Sequence, residues 1–185
     1  MSAVLTSMPA TVEEGFALLE RMCAGQTLAD AMGQSRESLE SIYQLGYTFY
    51  NQGKYMEAMR VFAYLLAANH MDPRHHIGFG ACMQMQKHYG EALRFYAAAS
   101  KLDPTQPEPA LYMAECHLAL GKRGEARTAI QFALMRSRAG AAHGSLVPRL
   151  EAMLAFLDAN PEAAPSDSNS AAPPPAAATT QEKVA

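Results

Sequence analysis

The sequence predicts an all-α fold, a curved right-handed α-solenoid of three helix–turn–helix repeats with flanking helices at both ends. Three observations predict it. Residue types recur every 34 positions through the middle of the 185-residue chain. Within each copy, apolar residues follow the 3.6-residue spacing of amphipathic helices. Small residues stand at the same place in every copy, where the two helices of a pair cross closely.

The 34-residue period is visible in matched residues. Four sets recur at this spacing: the dipeptides Glu57-Ala58, Glu91-Ala92 and Glu125-Ala126; Gly46, Gly80 and Ala114; Phe62, Tyr96 and Ile130; and Leu65, Ala99 and Ala133. Thirty-four residues is the length of a tetratricopeptide unit. We therefore expect tetratricopeptide repeats at residues 39–72, 73–106 and 107–140, which together form a domain over 39–140.

Helices are predicted on both sides of the repeats. Residues 1–10 are predicted to be disordered, and residues 11–38 to hold an amphipathic helix at Val12–Cys23 and a shorter helical turn. Residues 145–158 are predicted to form a helix that caps the last repeat with a polar outer face, as the end of a solenoid requires.

The last 25 residues, 161–185, differ in composition from the rest of the chain. They hold five of the eleven prolines and eight alanines, and no aromatic residue. Such a segment cannot bury enough apolar area to offset the entropy of ordering it. It is therefore predicted to be a disordered Pro/Ala-rich tail.

Charge and cysteine usage exclude several classes of protein. The formal net charge is −3, which gives no electrostatic attraction to nucleic acid or to an anionic membrane. No apolar run approaches the ~20 residues of a membrane-spanning helix, and the first residues do not resemble a secretory signal. Three widely spaced cysteines argue against a disulfide framework and favour a reducing cytoplasm.

Three stretches carry a resemblance to a known family: LESIYQLGYTFYNQGKYMEA at 39–58, FGACMQ at 79–84 and AECHL at 114–118. The chain resembles the class II chaperones of type III secretion systems over roughly residues 16–157. The resemblance implies a cytoplasmic protein that holds the two hydrophobic translocator proteins before export, with an extended translocator segment in the concave groove. It also implies, for some members, action with an AraC-type transcription activator, and homodimers. The tail departs from the family pattern.

The first helix of each repeat lines the concave side of such a solenoid. In the first repeat, Tyr43, Tyr47 and Tyr50 share one helix face, and the opposite stripe, Ile42, Leu45, Gly46 and Phe49, is expected to pack inward. The equivalent faces of the next repeats contain Ile77, Ala81, Gln84 and Met85, and then Leu111, Glu115, Leu118 and Ala119. The predicted groove residues are Tyr43, Tyr47, Tyr50, Ile77, Ala81, Gln84, Met85, Leu111 and Glu115.

An alternative reading places some of these side chains in the core. Phe49, Tyr55 and Phe62 match repeat packing positions and are interpreted as core residues. For the three groove tyrosines the family pattern favours binding, because tyrosine combines a large apolar face, a hydroxyl and few rotatable bonds. Methionines of the repeats give the groove an adaptable surface or fill gaps in the core.

No catalytic or metal site is predicted. The neighbours His75 and His76 point about 100° apart on a helix and lack a third ligand, so they are interpreted as a surface helix start. Cys82 and Cys116 occupy equivalent positions that suit a small apolar side chain, and His117 is interpreted as a packing residue. The chain is therefore not expected to be an enzyme or to bind a cofactor.

The sequence thus favours a cytoplasmic translocator chaperone. The alternative is a general tetratricopeptide scaffold or assembly factor for another complex. The stripe Val12, Phe16, Leu19 and Met22 on the first helix further predicts a homodimer through that region.

Overall fold

The structure is a computed structural model that describes residues 11–160. Within this range the regular elements are all helical: α1 Val12–Cys23, α2 Leu28–Ala31, α3 Arg36–Asn51, α4 Tyr55–Ala68, α5 Pro73–Met85, α6 Tyr89–Leu102, α7 Glu108–Ala119, α8 Arg123–Ala139, a 3₁₀ helix Ala141–Leu146, and α9 Val147–Ala159. The segments 1–10 and 161–185, which the sequence predicts to be disordered, lie outside the described residues.

Helices α3 to α9 form one continuous stack. Each packs against the next, so that α3–α4, α5–α6 and α7–α8 are the three helix pairs, and α9 covers α8 at the end. Helix α1 packs against the short helix α2, which in turn contacts α4. The predicted all-α tetratricopeptide solenoid is confirmed.

Short polar residues cap the starts of α1, α3 and α5. Thr11 and Glu14 form a reciprocal capping box at α1, with each side chain accepting a hydrogen bond from the other's backbone N–H. The Ser35 hydroxyl accepts from the backbone N–H of Ser38 at α3. At α5, Asp72 accepts from the N–H of Arg74, and Pro73 occupies the first helical turn. These side chains satisfy N–H groups that have no partner inside the helix.

The turns inside the three pairs share one backbone conformation. Gly53, Lys87 and Gly121 are 34 residues apart and have φ of +75°, +65° and +73°. Each N–H donates to the carbonyl three residues earlier. This left-handed conformation suits glycine, because a side chain there meets the following carbonyl. Lys87 therefore adopts the turn with strain that its two counterparts avoid.

Small residues allow the close helix crossings that the sequence predicts. Ala58, Ala92 and Ala126 are completely buried. A Cβ on Gly46 would lie 3.1 Å from Val61 Cγ1, and one on Gly80 would lie 3.0 Å from Tyr96 Cε1. Larger side chains at these positions would push the paired helices beyond their usual separation of about 8–10 Å.

The core consists of three clusters along the stack, and one prediction about its packing is wrong. Leu45 is exposed rather than packed inward, because α3 is the first helix of the stack. Its counterparts Phe79 and Met113 pack against the preceding repeat. The capping helix α9 buries Leu150 and Leu157 against the third repeat. Its outer face exposes the charged side chains of Arg149, Glu151 and Asp158 beside Phe156, which is 59% exposed.

None of the helices between residues 11 and 160 combines the length and the apolar character that crossing a bilayer requires.

The turn geometry predicts that Lys87→Gly stabilises the fold by about 1 kcal/mol, since glycine removes the left-handed strain and adds a smaller entropic cost. Gly121→Lys, the reverse exchange at the equivalent turn, is expected to destabilise by a similar amount. Urea unfolding of both variants measures the two free energies. Destabilisation by Lys87→Gly would contradict the assignment of strain to this turn.

Candidate binding groove

A groove of about 340 Å³ opens on the concave side of the stack. It is lined by Tyr43, Tyr47, Tyr50, Asn51, Phe62, Ile77, Gly78, Ala81, Gln84, Met85, Tyr96, Tyr112 and Glu115. The structure thus brings together eight of the nine residues that the sequence proposes for the groove. They come from the first helix of each pair, α3, α5 and α7.

Leu111 is the exception, and its placement in the groove is wrong. Its side chain is 1% exposed and belongs to the core cluster that contains Leu150 of α9 and Ile130 of α8. The repeat equivalents Tyr43 and Ile77 line the groove. At the same position of the third repeat, Leu111 is instead part of the core beneath the capping helix, so the open groove ends near Glu115.

The first end of the groove is apolar and has Phe62 as its floor. The Phe62 ring is buried and lies edge-on to Tyr43, with ring centroids 5.8 Å apart. It fits against Gly78 so closely that a Cβ on Gly78 would lie 2.4 Å from Phe62 Cε1. The absent side chain of Gly78 is what lets this ring reach the groove.

One repeat later, the same pair of positions has different chemistry. Tyr96 and Tyr112 stand 34 residues after Phe62 and Gly78, and their rings lie 5.3 Å apart. The ring of Tyr112 therefore stands at the repeat position where the preceding junction has Gly78. The groove consequently has the Phe62 ring packed on a glycine at the junction of the first two repeats and a pair of tyrosine rings at the next.

A chain of hydrogen bonds makes the second end of the groove polar. The Tyr96 hydroxyl donates to Gln84 Oε1 over 2.7 Å, and Gln84 Nε2 donates to Glu115 Oε2 over 3.0 Å. Arg149 of α9 donates to the other carboxylate oxygen of Glu115. This chain joins two repeats and the capping helix, and it neutralises the one carboxylate that lines the groove.

Arg74 borders the groove beside Tyr43. Its guanidinium lies 4.9 Å from the centre of the Tyr43 ring and pairs with Asp72 at 2.8 Å and with Glu40 at 2.9 Å. These contacts hold the Tyr43 ring between a cation and the Phe62 edge. The ring is therefore positioned before any ligand arrives.

Several polar groups of the groove have no partner within residues 11–160. The hydroxyls of Tyr43, Tyr47, Tyr50 and Tyr112 and the amide of Asn51 make no hydrogen bond to the described chain, unlike Tyr96. Burial raises the pKa of Tyr43, Tyr50 and Tyr112 above the usual value of a phenol. These hydroxyls are therefore protonated at neutral pH and can donate to a ligand.

The described residues contain no group of three or more His, Cys, Asp or Glu side chains that would hold a metal ion. Cys82 and Cys116 are completely buried, and burial raises their thiol pKa to about 12 and about 11. Both are therefore protonated at neutral pH and unsuited to act as nucleophiles.

The structure corrects the surface placement of His75. Its ring is 1% exposed, Nδ1 lies 2.8 Å from the carbonyl oxygen of Asn69, and it contacts the Tyr43 ring. His76 lies next to the carbonyl of His70 at 2.8 Å. The two histidines therefore close the loop between α4 and α5 rather than marking an exposed helix start.

Sequence reasoning missed five groove residues: Asn51, Phe62, Gly78, Tyr96 and Tyr112. Phe62 was interpreted as core, and it serves both roles, since its buried ring also lines the groove. Tyr96, its counterpart one repeat later, is likewise buried and part of the groove lining. The alignment of the repeats contains a signal for two of the other residues. Gly78 and Tyr112 differ strongly in size at one repeat position, where the first repeat has Gln44.

Comparisons with known proteins agree with this architecture. A family model described as tetratricopeptide repeat matches residues 84–147, and one described as anaphase-promoting complex, cyclosome, subunit 3 matches residues 17–99. The low calcium response locus protein H of Yersinia pestis is 32% identical over 120 residues, which cover 65% of this chain and 71% of that protein.

Two solved complexes are similar to this chain. PcrH of Pseudomonas aeruginosa bound to the chaperone binding region of PopD has 35% identity and a TM-score of 0.65, over 68% of this chain and 94% of PcrH. SycD, the type III secretion chaperone of Yersinia enterocolitica, in complex with a peptide of the translocator YopD has 30% identity and a TM-score of 0.65. This match covers 69% of this chain and 98% of SycD.

The contact of Gly78 with Phe62 predicts that Gly78→Ala destabilises the fold by about 1–3 kcal/mol, because the new methyl group must displace a buried ring. Chemical denaturation measures this loss. Gly90→Ala is the matched control, since a Cβ there meets nothing within 4 Å, and it is expected to be neutral or to stabilise by up to about 1 kcal/mol.

A double-mutant cycle with Phe62→Leu isolates the contact between the two positions. The double variant is expected to recover part of the loss, with a coupling of about 0.5–3 kcal/mol. Strict additivity would show that Gly78 does not act through Phe62.

Proposed function

Because this chain belongs to the tetratricopeptide-repeat class II chaperones of type III secretion systems, we propose that it captures an extended apolar segment of a translocator protein in its concave groove. The observation that carries the proposal is the groove itself, an aromatic surface on which four of the five tyrosine hydroxyls have no partner in the described chain. The related proteins PcrH and SycD form complexes with translocator segments. The same role here places the chain in the bacterial cytoplasm, before export.

The apolar end of the groove suits an aliphatic or aromatic anchor. Tyr43, Phe62 and Ile77 line this end of the groove, and Tyr47 beside them has 51% of its surface exposed. A side chain inserted there removes apolar area from water on both partners, which contributes about 25 cal/mol per Å². Binding energy in such grooves concentrates on a few anchors of this kind.

The free hydroxyls suit the backbone of an extended ligand. An extended chain presents carbonyl and N–H groups on both edges, and these lose water when the groove closes around them. Tyr43, Tyr50, Tyr112 and Asn51 offer donors and acceptors along the groove. Bonds to backbone do not depend on ligand sequence, so one groove accommodates two different translocators.

This mechanism protects rather than catalyses. A translocator that enters membranes has apolar segments that aggregate in water. Covering one segment keeps the complex dissolved until export, and release is driven by the secretion machinery. Contact with a transcription activator, which the resemblance implies, stays a prediction.

The rival function is a general tetratricopeptide scaffold. Family membership argues against it, and so does the division of the groove into an apolar end and a neutralised polar end. A scaffold for folded partners presents a surface that fits other folded surfaces. The groups of this groove that have no hydrogen-bond partner within residues 11–160 suit a single extended strand instead.

We also propose self-association through α1. This helix exposes Phe16 by 64% and Met22 by 39% on an amphipathic surface, and it joins α2 through Gly25 at φ +91°. Apolar side chains on an amphipathic helix with this much exposure are typical of an interface. A second copy of α1 would cover them.

Tyr47→Glu tests the groove. The variant is expected to weaken binding of a translocator segment at least about 10-fold, because it places a charge beside an apolar anchor, and 10-fold corresponds to about 1.4 kcal/mol. Calorimetric titration with the chaperone binding region of PopD, or with a translocator from the same gene cluster, measures the affinity.

Met56→Glu is the matched control for this test. Met56 is 48% exposed, nearly as much as Tyr47, and it does not line the groove. The affinity of the Met56→Glu variant for the translocator segment is therefore expected to stay within 2-fold of the wild type. Undiminished binding by a folded Tyr47→Glu variant would remove the groove from the proposal.

Phe16→Asp tests self-association. Sedimentation velocity at micromolar concentration is expected to show a dimer for the wild-type chain and the 20.0 kDa monomer for the variant. Met71→Asp, a change at an exposed residue outside α1, is expected to leave the dimer intact. A monomeric wild-type chain would exclude this interface.

A further inference from the structure

The groove has a second candidate occupant within the same chain. Five tyrosines line it, and the carboxylate of Glu115 is neutralised by Arg149. Aromatic grooves with free donors bind proline-rich segments well, because such segments are pre-extended and expose their carbonyl groups. A proline-rich, uncharged segment therefore matches this surface as well as an apolar one does.

Residues 168–181 have this composition. The stretch reads SNSAAPPPAAATTQ, has no charged residue, and contains Pro173, Pro174 and Pro175 in succession. Proline has no backbone N–H, so consecutive prolines present acceptors without donors. The free hydroxyls of the groove are donors, which makes the two sets complementary.

The reach of the chain permits contact within one molecule. The carbonyl of Asn160, the last described residue, accepts a hydrogen bond of 2.5 Å from Arg123, which fixes the point of departure. Asn160 follows Arg149 by eleven positions, a rise of about 17 Å along α9 and its end, and Arg149 contacts Glu115 in the groove. Pro173 follows Asn160 by thirteen positions, which span up to about 43 Å.

The charges of Asp167 and Arg149 support the same path of the tail along α9 to the groove. Asp167 follows Asn160 by seven positions, a reach of about 23 Å when extended, which exceeds the distance along α9 to Arg149. Arg149 is more than half exposed and uses one of its guanidinium donors on Glu115. An arginine has further donors for a second carboxylate, so Asp167 can pair there as the chain turns into the groove.

We propose that residues 168–181 occupy the groove of their own molecule and are displaced by the arriving translocator segment. Attachment to the same chain gives the segment an effective concentration in the millimolar range. A weak contact is therefore enough to populate the state in which the segment lies in the groove. The tail thereby covers the aromatic groove while no ligand is present. Displacement of the tail by a translocator segment rests on the proposed function, whereas the contact between tail and groove does not.

The test uses the full chain with Pro173, Pro174 and Pro175 changed to Ser. Methyl NMR signals of Ile77, Ala81 and Met85 report on the groove, and those of Ile130 and Leu134 report on the core. The variant is expected to shift the groove signals and leave the core signals unchanged. A synthetic peptide of residues 168–181, added at millimolar concentration, is expected to return the groove signals toward their wild-type positions.

A matched control separates the triple-proline segment from the tail as a whole. Changing Pro161 and Pro165 to Ser alters two prolines of the same tail outside the uncharged stretch, and is expected to leave the groove signals in place. Identical groove signals in the wild type and the triple variant would overturn the proposal. A difference that grows with protein concentration would also overturn it, since the tail would then occupy the groove of another copy.

Affinity for the chaperone binding region of PopD gives a second readout. Removing an internal competitor is expected to tighten binding of this ligand by about 3-fold or more, as the effective concentration implies. Equal affinity in both chains would overturn the competition and leave the proposed function standing. If neither chain binds the ligand, the proposed function fails, and the NMR comparison alone decides whether the tail lies in the groove.

Discussion

Close crossing of the two helices in each pair is the constraint on which the rest of the structure depends. It requires small residues at two facing positions, and the chain supplies Gly or Ala there in all three repeats. Once the crossings are close, the first helices of the pairs lie side by side, and their exposed faces merge into one concave surface. The groove is thus a consequence of residues that never touch a ligand.

Residue differences between equivalent positions of the three repeats determine the shape of the groove. Positions that set the crossing hardly vary, whereas the position of Gly78 changes from Gln44 to Gly78 to Tyr112. Glycine lets the Phe62 ring reach the concave surface, and Tyr112 instead adds a ring of its own. A repeat protein can therefore tune a binding surface by changing one residue where the packing of neighbouring repeats permits it.

The sequence was sufficient to predict the repeat, the helix pairs and most of the groove, because periodicity identifies both the period and the exposed face. It failed where a residue's surroundings come from outside its own repeat. Leu111 shares a helix face with groove residues, yet it belongs to the core that α9 completes. Leu45 shares a stripe with core residues, yet it lacks the preceding helix pair that covers Phe79. Both errors arise at the ends of the stack, where a repeat has one neighbour instead of two.

Two rows of groove residues give the groove a chemical gradient that would favour one direction of a bound strand. One row changes from Tyr47 to Ala81 to Glu115, from an exposed ring to a methyl group to a carboxylate. The row beside it changes from Tyr50 to Gln84, whose amide links Tyr96 to Glu115. A strand with an apolar anchor at one end and polar groups at the other matches this gradient in one direction only. In the reverse direction the anchor would face Glu115 and displace the hydrogen bonds that neutralise it, leaving buried polar groups unpaired. Hydrogen bonds from the groove to a ligand backbone would thus be independent of ligand sequence, while the gradient of side chains would still determine the orientation of the ligand.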